Sequence, residues 1–314
     1  MTGTLRLGTR GSMLALWQAN WVKSQLEQRW PGIVVELAPI KTTGDKILDV
    51  PLAKIGGKGL FTKEIDEALL DGRIDLVVHS LKDVPFELPE GIDIAAIPSR
   101  EDPRDAFISR GPRLRDLKDG ATIGTSSLRR QVQLRHKFPN LALVTLRGNV
   151  DTRLRKLDAG EFDAIILAVA GLKRLGRDGR ITEILDEDIM VSAVGQGALG
   201  IVCRTLDDST RGFLAVFDDK PTRIAVTAER GLLRALGGSC QVPVAGRARL
   251  DGETLRIKGL LASLDGKRVV TREITGSPDK PADLGMELGR QLLGMGAADI
   301  LAEIARHYPN ETDR

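Results

Sequence analysis

Through the first two-thirds of the chain, short apolar runs with strand character alternate with stretches in which apolar residues recur at helical spacing. That alternation predicts an α/β protein with parallel sheets covered by helices on both faces. The strand-like runs are Leu5 to Leu7, Ile33 to Leu37, Ile74 to Val78, Ile92 to Ile97, Ala106 to Ser109, Ala121 to Gly124, Leu141 to Leu146, Ala164 to Val169 and Leu199 to Cys203. Helices fall between them. Ser12 can cap one that ends before Pro31, Thr62 one that ends at Gly72, and Ser126 or Ser127 one that ends before Pro139.

The punctuation of the pattern divides the chain. The proline-flanked, charged stretch from Pro98 to Pro103 reads as a crossover between two domains, and Val191 to Gly197, rich in small residues, reads as a return crossing. The strand after it can then rejoin the first sheet, giving two α/β lobes joined by two hinges with ligand in the cleft. After Pro221 the pattern changes to a helix over Thr222 to Leu236 and strands around Val242 to Leu250, Thr254 to Leu264 and Arg268 to Ile274. Asp251-Gly252 and Asp265-Gly266 are hairpin turn signals, so an antiparallel meander is expected. One last helix over Ala282 to His307 closes it. The expected domains are residues 1–98 with 198–218, residues 103–192, and residues 220–314.

Composition narrows the function. With 46 Lys and Arg against 43 Asp and Glu, the formal charge of +3 is too small for a protein held to nucleic acid by counterion release. Only 7 Phe, 3 Trp and 1 Tyr are present, too few rings for single-strand stacking platforms. Cys203 and Cys240 lie far apart, which argues against a disulfide framework and for a reducing, cytoplasmic compartment. The first residues lack the pattern of a secretion signal, and the longest apolar run, Ala164 to Leu172, cannot span a bilayer. The histidines 79, 136 and 307 are scattered, so no metal site is expected.

Candidate chemistry sits where strands hand over to helices. Arg10 precedes Ser12, Arg129 and Arg130 follow Gly124-Thr125-Ser126-Ser127, and Arg147 precedes Gly148-Asn149 with Arg153 a turn later. In open α/β sheets ligands bind beyond the carboxyl ends of strands. Guanidinium groups fork onto carboxylate or phosphate, so converging arginines point to a ligand with several anionic groups. His79-Ser80-Leu81-Lys82-Asp83-Val84-Pro85 follows a buried strand, and Asp83 beside Lys82 suits a carboxylate that stabilises a developing cation or moves a proton, although a plain turn carboxylate fits the residue types equally. His79 reads as a packed strand residue.

Lys54 to Phe61 is glycine-rich and basic but lacks the spacing of a phosphate loop, so it reads as a lid. Gly195 to Gly200 matches GxGxxG by letter only, since a strand is expected to follow, and a nicotinamide cofactor is not implied. Cys240, among small residues between a helix end and a strand, presents an accessible thiol, whereas Cys203 reads as core.

In chain order the segments TRGSMLALWQA, GGKGLFTKEID, HSLKDVP, GTSSLRRQ, LRGNVDTRL, LAVAGLKRLG, GQGALG and GGSCQVPVAG resemble the porphobilinogen deaminase (hydroxymethylbilane synthase) family over nearly the whole chain. The resemblance implies a transferase of porphyrin and haem biosynthesis. It would join four porphobilinogen molecules head to tail with release of ammonia, and free the linear tetrapyrrole hydroxymethylbilane by hydrolysis. The implied architecture is two periplasmic-binding-protein-like doubly wound lobes joined by two hinge strands, plus a C-terminal α+β domain with a three-stranded antiparallel sheet. A dipyrromethane cofactor, attached by a thioether, falls on Cys240.

Asp83 matches the family's catalytic aspartate. Ser80, Lys82, Asp83, Ser127, Arg129 and Arg130 are implied to hold the cofactor. Arg10, Ser12, Gln18, Arg147, Arg153 and Arg174 are implied to meet substrate or the growing chain, and Lys54, Lys58 and Phe61 belong to the lid loop. The implied ligands are porphobilinogen and the growing oligopyrrole, with no nucleic acid, membrane or metal, and the implied state is a cytoplasmic monomer. Gly231 departs from the bulkier residue of many relatives and implies only looser local packing. From the residues alone, two other classes remain: a small-anion binding protein without chemistry, which would need neither Cys240 nor Asp83, and a cysteine acyl-transfer enzyme, which would need a histidine beside Cys240.

Overall fold

A computed structural model describes residues 3–46, 62–238 and 242–307. They group into two compact units. The first comprises residues 3–46, 62–101 and 197–223, and the second residues 102–196 and those from 224 on.

The first unit is built on a five-stranded sheet. Its strands are β1 (Gly3–Thr9), β2 (Ile33–Pro39), β3 (Leu76–Ser80), β4 (Ile92–Ala96) and β10 (Leu199–Arg204), in the order β2-β1-β3-β10-β4. β1 pairs in parallel with β2 and β3, and β10 runs antiparallel between β3 and β4. The strand after the small-residue crossing therefore does rejoin the first sheet. Helix α1 (Met13–Arg29) starts at Ser12, whose hydroxyl accepts from the Ala15 N–H at 3.3 Å, and it buries Ala19, Val22 and Leu26 against Leu5, Leu7, Val35, Leu76 and Val78. The i, i+3, i+7 spacing puts those three side chains on one stripe. Helix α2 (Lys63–Leu70) starts after Thr62, but the threonine side chain makes no capping bond. Asp75 ties the sheet at its amino edge, taking Arg6 Nη2 at 2.8 Å from β1 and Arg204 Nη2 at 3.3 Å from β10. Cys203 packs in this core, as its sequence context suggested, and burial pushes its thiol up to about 11.

The second unit repeats the plan. Strands β5 (Asp105–Ser109), β6 (Thr122–Gly124), β7 (Ala142–Val144), β8 (Ala164–Ala168) and β9 (Glu183–Leu185) lie in the order β7-β6-β8-β5-β9. β6 is parallel to β7 and β8, and β5 is antiparallel to β8 and β9. Alternate side chains go to opposite faces: Ile108, Ile165 and Leu167 join Leu154 and Leu157 on one, while Phe107, Ala164 and Ile166 join Leu114 and Leu134 on the other. Both faces are apolar because both are covered, which is why these strands read as continuous runs. The covering helices include α3 (Leu128–Lys137), α4 (Val150–Asp158) and the short α5 (Val169–Arg174). β9 was not foreseen. Three residues at a sheet edge carry too little pattern to stand out, and this strand is held by pairing with β5.

The chain from α6 (Asp208–Leu214) enters α7 (Lys220–Ala235), then forms the expected meander β11 (Val244–Asp251), β12 (Thr254–Ala262) and β13 (Val269–Gly276). Gly252 and Gly266 take φ of +62° and +74° at the two turns, as the Asp-Gly signals required. The single last helix expected over residues 282–307 is instead two, α8 (Pro281–Leu292) and α9 (Ala298–His307). They are separated at Leu293–Ala297, where Gly296 takes φ +106° and breaks the helical ladder.

The expectation that Gly231 merely loosens packing is also overturned. A Cβ there would lie 2.4 Å from the Ala282 carbonyl oxygen, so the glycine permits a close backbone approach between α7 and α8. Gly285 does the same from the α8 side against the Ala228 carbonyl oxygen, and Gly289 leaves room for the Ala235 Cβ. Around this crossing Leu232, Leu288 and Leu292 are fully buried with Leu255, Ile257 and Leu261 of the meander.

Candidate functional site

In each large sheet the parallel strands end on one edge, and the antiparallel strand begins there. Thr9 ends β1 and Ser80 ends β3, and Leu199, paired with Ser80, opens β10. Gly124, Val144 and Ala168 end β6, β7 and β8, and Asp105, paired with Ala168, opens β5. These carboxyl edges are where doubly wound sheets bind ligands.

On the first edge Arg10 follows β1 directly and Ser12 caps α1. Gln18, one turn into α1, is buried and donates from Nε2 to Ser80 Oγ at 2.8 Å. Two residues that the resemblance assigned to different ligands are thus bonded to each other. Because Ser80 accepts from Gln18, its own hydroxyl hydrogen is directed elsewhere. After Ser80 the chain makes one 3-10 turn, Leu81–Asp83. Leu81 is buried and anchors the turn, with its N–H on the Ala198 carbonyl at 3.0 Å, while Lys82 and Asp83 are exposed. His79 is buried, as expected of a packed strand residue. Burial and the positive charge of Arg10 push it down to about 4, so it is neutral near pH 7.

On the second edge α3 begins after Ser127, whose side chain takes the N-cap position without a capping bond. Ser126 Oγ instead donates to the Leu146 carbonyl at 2.9 Å, tying the ends of β6 and β7 together. Arg129 and Arg130, in the first turn of α3, are buried and both grip Asp105. Arg129 places Nη1 at 2.8 Å from Oδ2 and Nη2 at 3.2 Å from Oδ1. Arg130 places Nε at 2.9 Å and Nη2 at 2.7 Å from Oδ1. Arg129 also donates to the Val191 carbonyl and Arg130 to the Ile166 carbonyl.

Asp105 is fully buried. Burial alone would raise its carboxyl, but Arg129 and Arg130 outweigh that and hold it well below the usual carboxylate range. Burial pulls the Arg130 guanidinium below its ordinary value, with Asp105 opposing and Arg129 adding to the pull. One carboxylate thus faces two buried cations, and the cluster keeps an excess positive charge.

Arg147 lies in the loop after β7, and Arg153, in α4, folds back with Nε on the Gly148 carbonyl at 2.7 Å. Asn149 caps α4 through the Thr152 N–H at 2.9 Å. Arg174 is the last residue of α5. The far end of α3 is held by the meander: Arg135 donates to the Leu264 carbonyl at 2.7 Å, and His136 Nδ1 lies 3.1 Å from the Gly266 carbonyl. Lys54, Lys58, Phe61 and Cys240 lie outside the described residues. Among the described residues no group of His, Cys, Asp or Glu could hold a metal ion, and no helix is long and apolar enough to cross a membrane.

Asp105 and its partner Gln196 were missed in the sequence. Asp105 opens an apolar strand two residues past the charged crossover, and the residues it binds are 24, 25 and 91 positions away, so no local pattern marks it.

Two five-stranded doubly wound sheets, with arginine, serine and carboxylate residues at their carboxyl edges, and a three-stranded antiparallel sheet define the chain as an α/β protein. Weak likeness in solved structures extends to the methionine binding protein MetQ, 12% identical over 68% of this chain and 89% of that chain with a TM-score of 0.43. The family profile described as "Porphobilinogen deaminase, dipyromethane cofactor binding domain" matches residues 5–212, and that described as "Porphobilinogen deaminase, C-terminal domain" matches residues 223–294. A porphobilinogen deaminase of Pelobacter propionicus is 55% identical over 96% of this chain and 97% of its own length, and that of Geobacter sulfurreducens 54% identical over 99% and 96%.

The chain belongs to the porphobilinogen deaminase family. It is accordingly a transferase of tetrapyrrole biosynthesis that works on a dipyrromethane cofactor. The described residues suit that group. Each of its rings bears an acetate and a propionate, and the Arg129–Asp105–Arg130 cluster carries an uncancelled positive charge next to a serine hydroxyl left out of helix capping.

Proposed function

We propose that Asp83 stabilises the cation left when porphobilinogen loses ammonia, while the arginines of the two carboxyl edges hold the ring carboxylates. Four substrates are joined head to tail in this way, and hydroxymethylbilane is released by hydrolysis. One observation carries the proposal: Asp83 is exposed at the end of a 3-10 turn whose first residue, Leu81, is buried and hydrogen-bonded, so its carboxylate is available at a strand end on an anchored backbone. A fixed carboxylate needs no reorganisation when positive charge develops on a pyrrole, and its effect grows as water is excluded.

In this reading Ser80, Lys82, Asp83, Ser127, Arg129 and Arg130 hold the dipyrromethane, and Cys240 attaches it. When bound, that group supplies the nucleophilic pyrrole carbon to which the first substrate is joined. Arg10, Ser12, Gln18, Arg147, Arg153 and Arg174 meet substrate and the growing chain, each guanidinium fork contributing about 1.5–3 kcal/mol. Gln18 also orients Ser80, to which it donates. The working form is a cytoplasmic monomer with three domains, residues 1–98 with 198–218, 103–192 and 220–314, and it uses neither metal nor nucleic acid.

The test is Asp83→Asn, which keeps the shape and removes the charge. We expect an unchanged thermal transition and a fall in turnover on the order of 100-fold or more. Near-native turnover would refute the role. Mass measurement of the intact, denatured parent should find two porphobilinogen-derived units on the Cys240 peptide, and a bare mass after incubation with porphobilinogen would refute the attachment.

A further inference from the structure

We infer that Asp105, steadied by Gln196, is a positioning residue that presets Arg129 and Arg130 as a carboxylate receptor. The inference rests on the proposal that these two arginines hold the cofactor. Two guanidinium groups on adjacent residues of one helix turn repel each other, and unpaired they would take separate, mobile rotamers. Here both are turned onto one carboxylate. That carboxylate cannot wander, because Asp105 is the first residue of β5 and is set in register against Ala168 of β8. Gln196 Nε2 holds it from another side, 3.1 Å from Oδ1, and also donates to the Pro103 carbonyl at 2.7 Å. Val191 and Ile166 carbonyls fix the guanidinium planes further.

If Asp105 served only to neutralise buried charge, one arginine would suffice. The cluster instead leaves a positive charge in excess, held in fixed geometry where ligand carboxylates are expected. Removing the carboxylate should therefore harm the receptor beyond its effect on folding.

The full chain is compared with Asp105→Asn, Gln196→Leu and Arg130→Gln. Each is incubated with porphobilinogen and weighed intact after denaturation, and cofactor loading is expressed per folded molecule, with folding measured by thermal unfolding. Asp105→Asn should lose at least tenfold in loading at temperatures well below its own transition, and its loaded fraction should show a raised KM for porphobilinogen. Asp105→Asn that melts lower yet loads like the parent would overturn the inference, leaving Asp105 a structural residue. Should Asp105→Asn fail to fold, Gln196→Leu decides, because it keeps every charge. Weaker loading at a parent-like melting temperature supports positioning, and parent-like loading overturns it. Arg130→Gln separates the levels. If it loads normally, the cofactor role of the arginine itself is wrong; if it loads poorly while Asp105→Asn loads normally, only the inference about Asp105 fails.

Discussion

Gly285→Ala tests the crossing of α7 and α8 with a single methyl group. The new Cβ would lie 1.9 Å from the Ala228 carbonyl oxygen and 2.8 Å from the Leu232 nitrogen, where ordinary contact begins at 3.4 Å. The obstacle is helix backbone, which no rotamer change can clear, so the helices must part by more than an ångström. Parting them loosens Leu232, Leu288 and Leu292, all fully buried. Overpacking of this kind costs typically about 1–3 kcal/mol, and a rigid obstacle puts it at about 3. Alanine recovers up to about 1 kcal/mol of helix propensity, leaving a net loss of about 2 kcal/mol. At roughly 2–4 °C per kcal/mol for a unit of this size, the thermal transition should fall by about 4–8 °C. Gly212→Ala, on α6 with nothing within 4 Å, is the control and should gain about 0.5–1 kcal/mol. Calorimetry or circular dichroism of the three purified chains checks both signs. A Gly285→Ala chain that melts at or above the parent would refute the close-approach account of this crossing.

Two further outcomes are expected. Arg147→Ala should weaken binding of substrate or oligopyrrole by roughly 10- to 150-fold, or stall elongation, with the fold intact, and unchanged steady-state kinetics would count against its role. His79 is buried neutral and pushed down to about 4, so between its unfolded value near 6.5 and pH 4 only the unfolded chain takes up a proton. Stability is therefore full above pH 6.5 and declines as the solution is acidified, by about 2 kcal/mol at pH 5. Denaturant titrations of His79→Gln should lack that component, and identical pH profiles for the two chains would sink the assignment.

Much of the fold was legible because its signals are local. Continuous apolar runs marked strands buried on both faces, Ser12 marked the start of α1, and Asp251-Gly252 and Asp265-Gly266 marked the hairpins. The residues that escaped were those defined by distant partners. Asp105 carries no signal of its own in the sequence, and its role shows only once β5 is paired with β8 and α3 is laid beside it. Gly231 looked like slack until the backbone of Ala282 was found against it. Arg10, Arg129, Arg130 and Arg147 were legible as a set, because each stands where a strand hands over to a helix, whereas Arg174 was marked only by the family resemblance. Two of them, Arg129 and Arg130, are buried on a carboxylate rather than offered at the surface, and side-chain direction is a product of packing that no spacing reveals.

The placement of β10 inside the first sheet bears on how the chain is born. β3 ends at Ser80, but its antiparallel neighbour begins only at Leu199, and among the described residues β4 pairs with no other strand. A ribosome working from the amino terminus therefore delivers every strand of the second sheet, Asp105 to Leu185, before it delivers the one that completes the first. The amino-terminal sheet is the later to finish. Until residue 204 emerges, β3 carries an open edge and β4 has no strand partner among the described residues, the kind of surface that nascent-chain chaperones shield and that other unfinished chains can pair with. A truncation just before β10 would leave the second sheet's strands complete and the first permanently open.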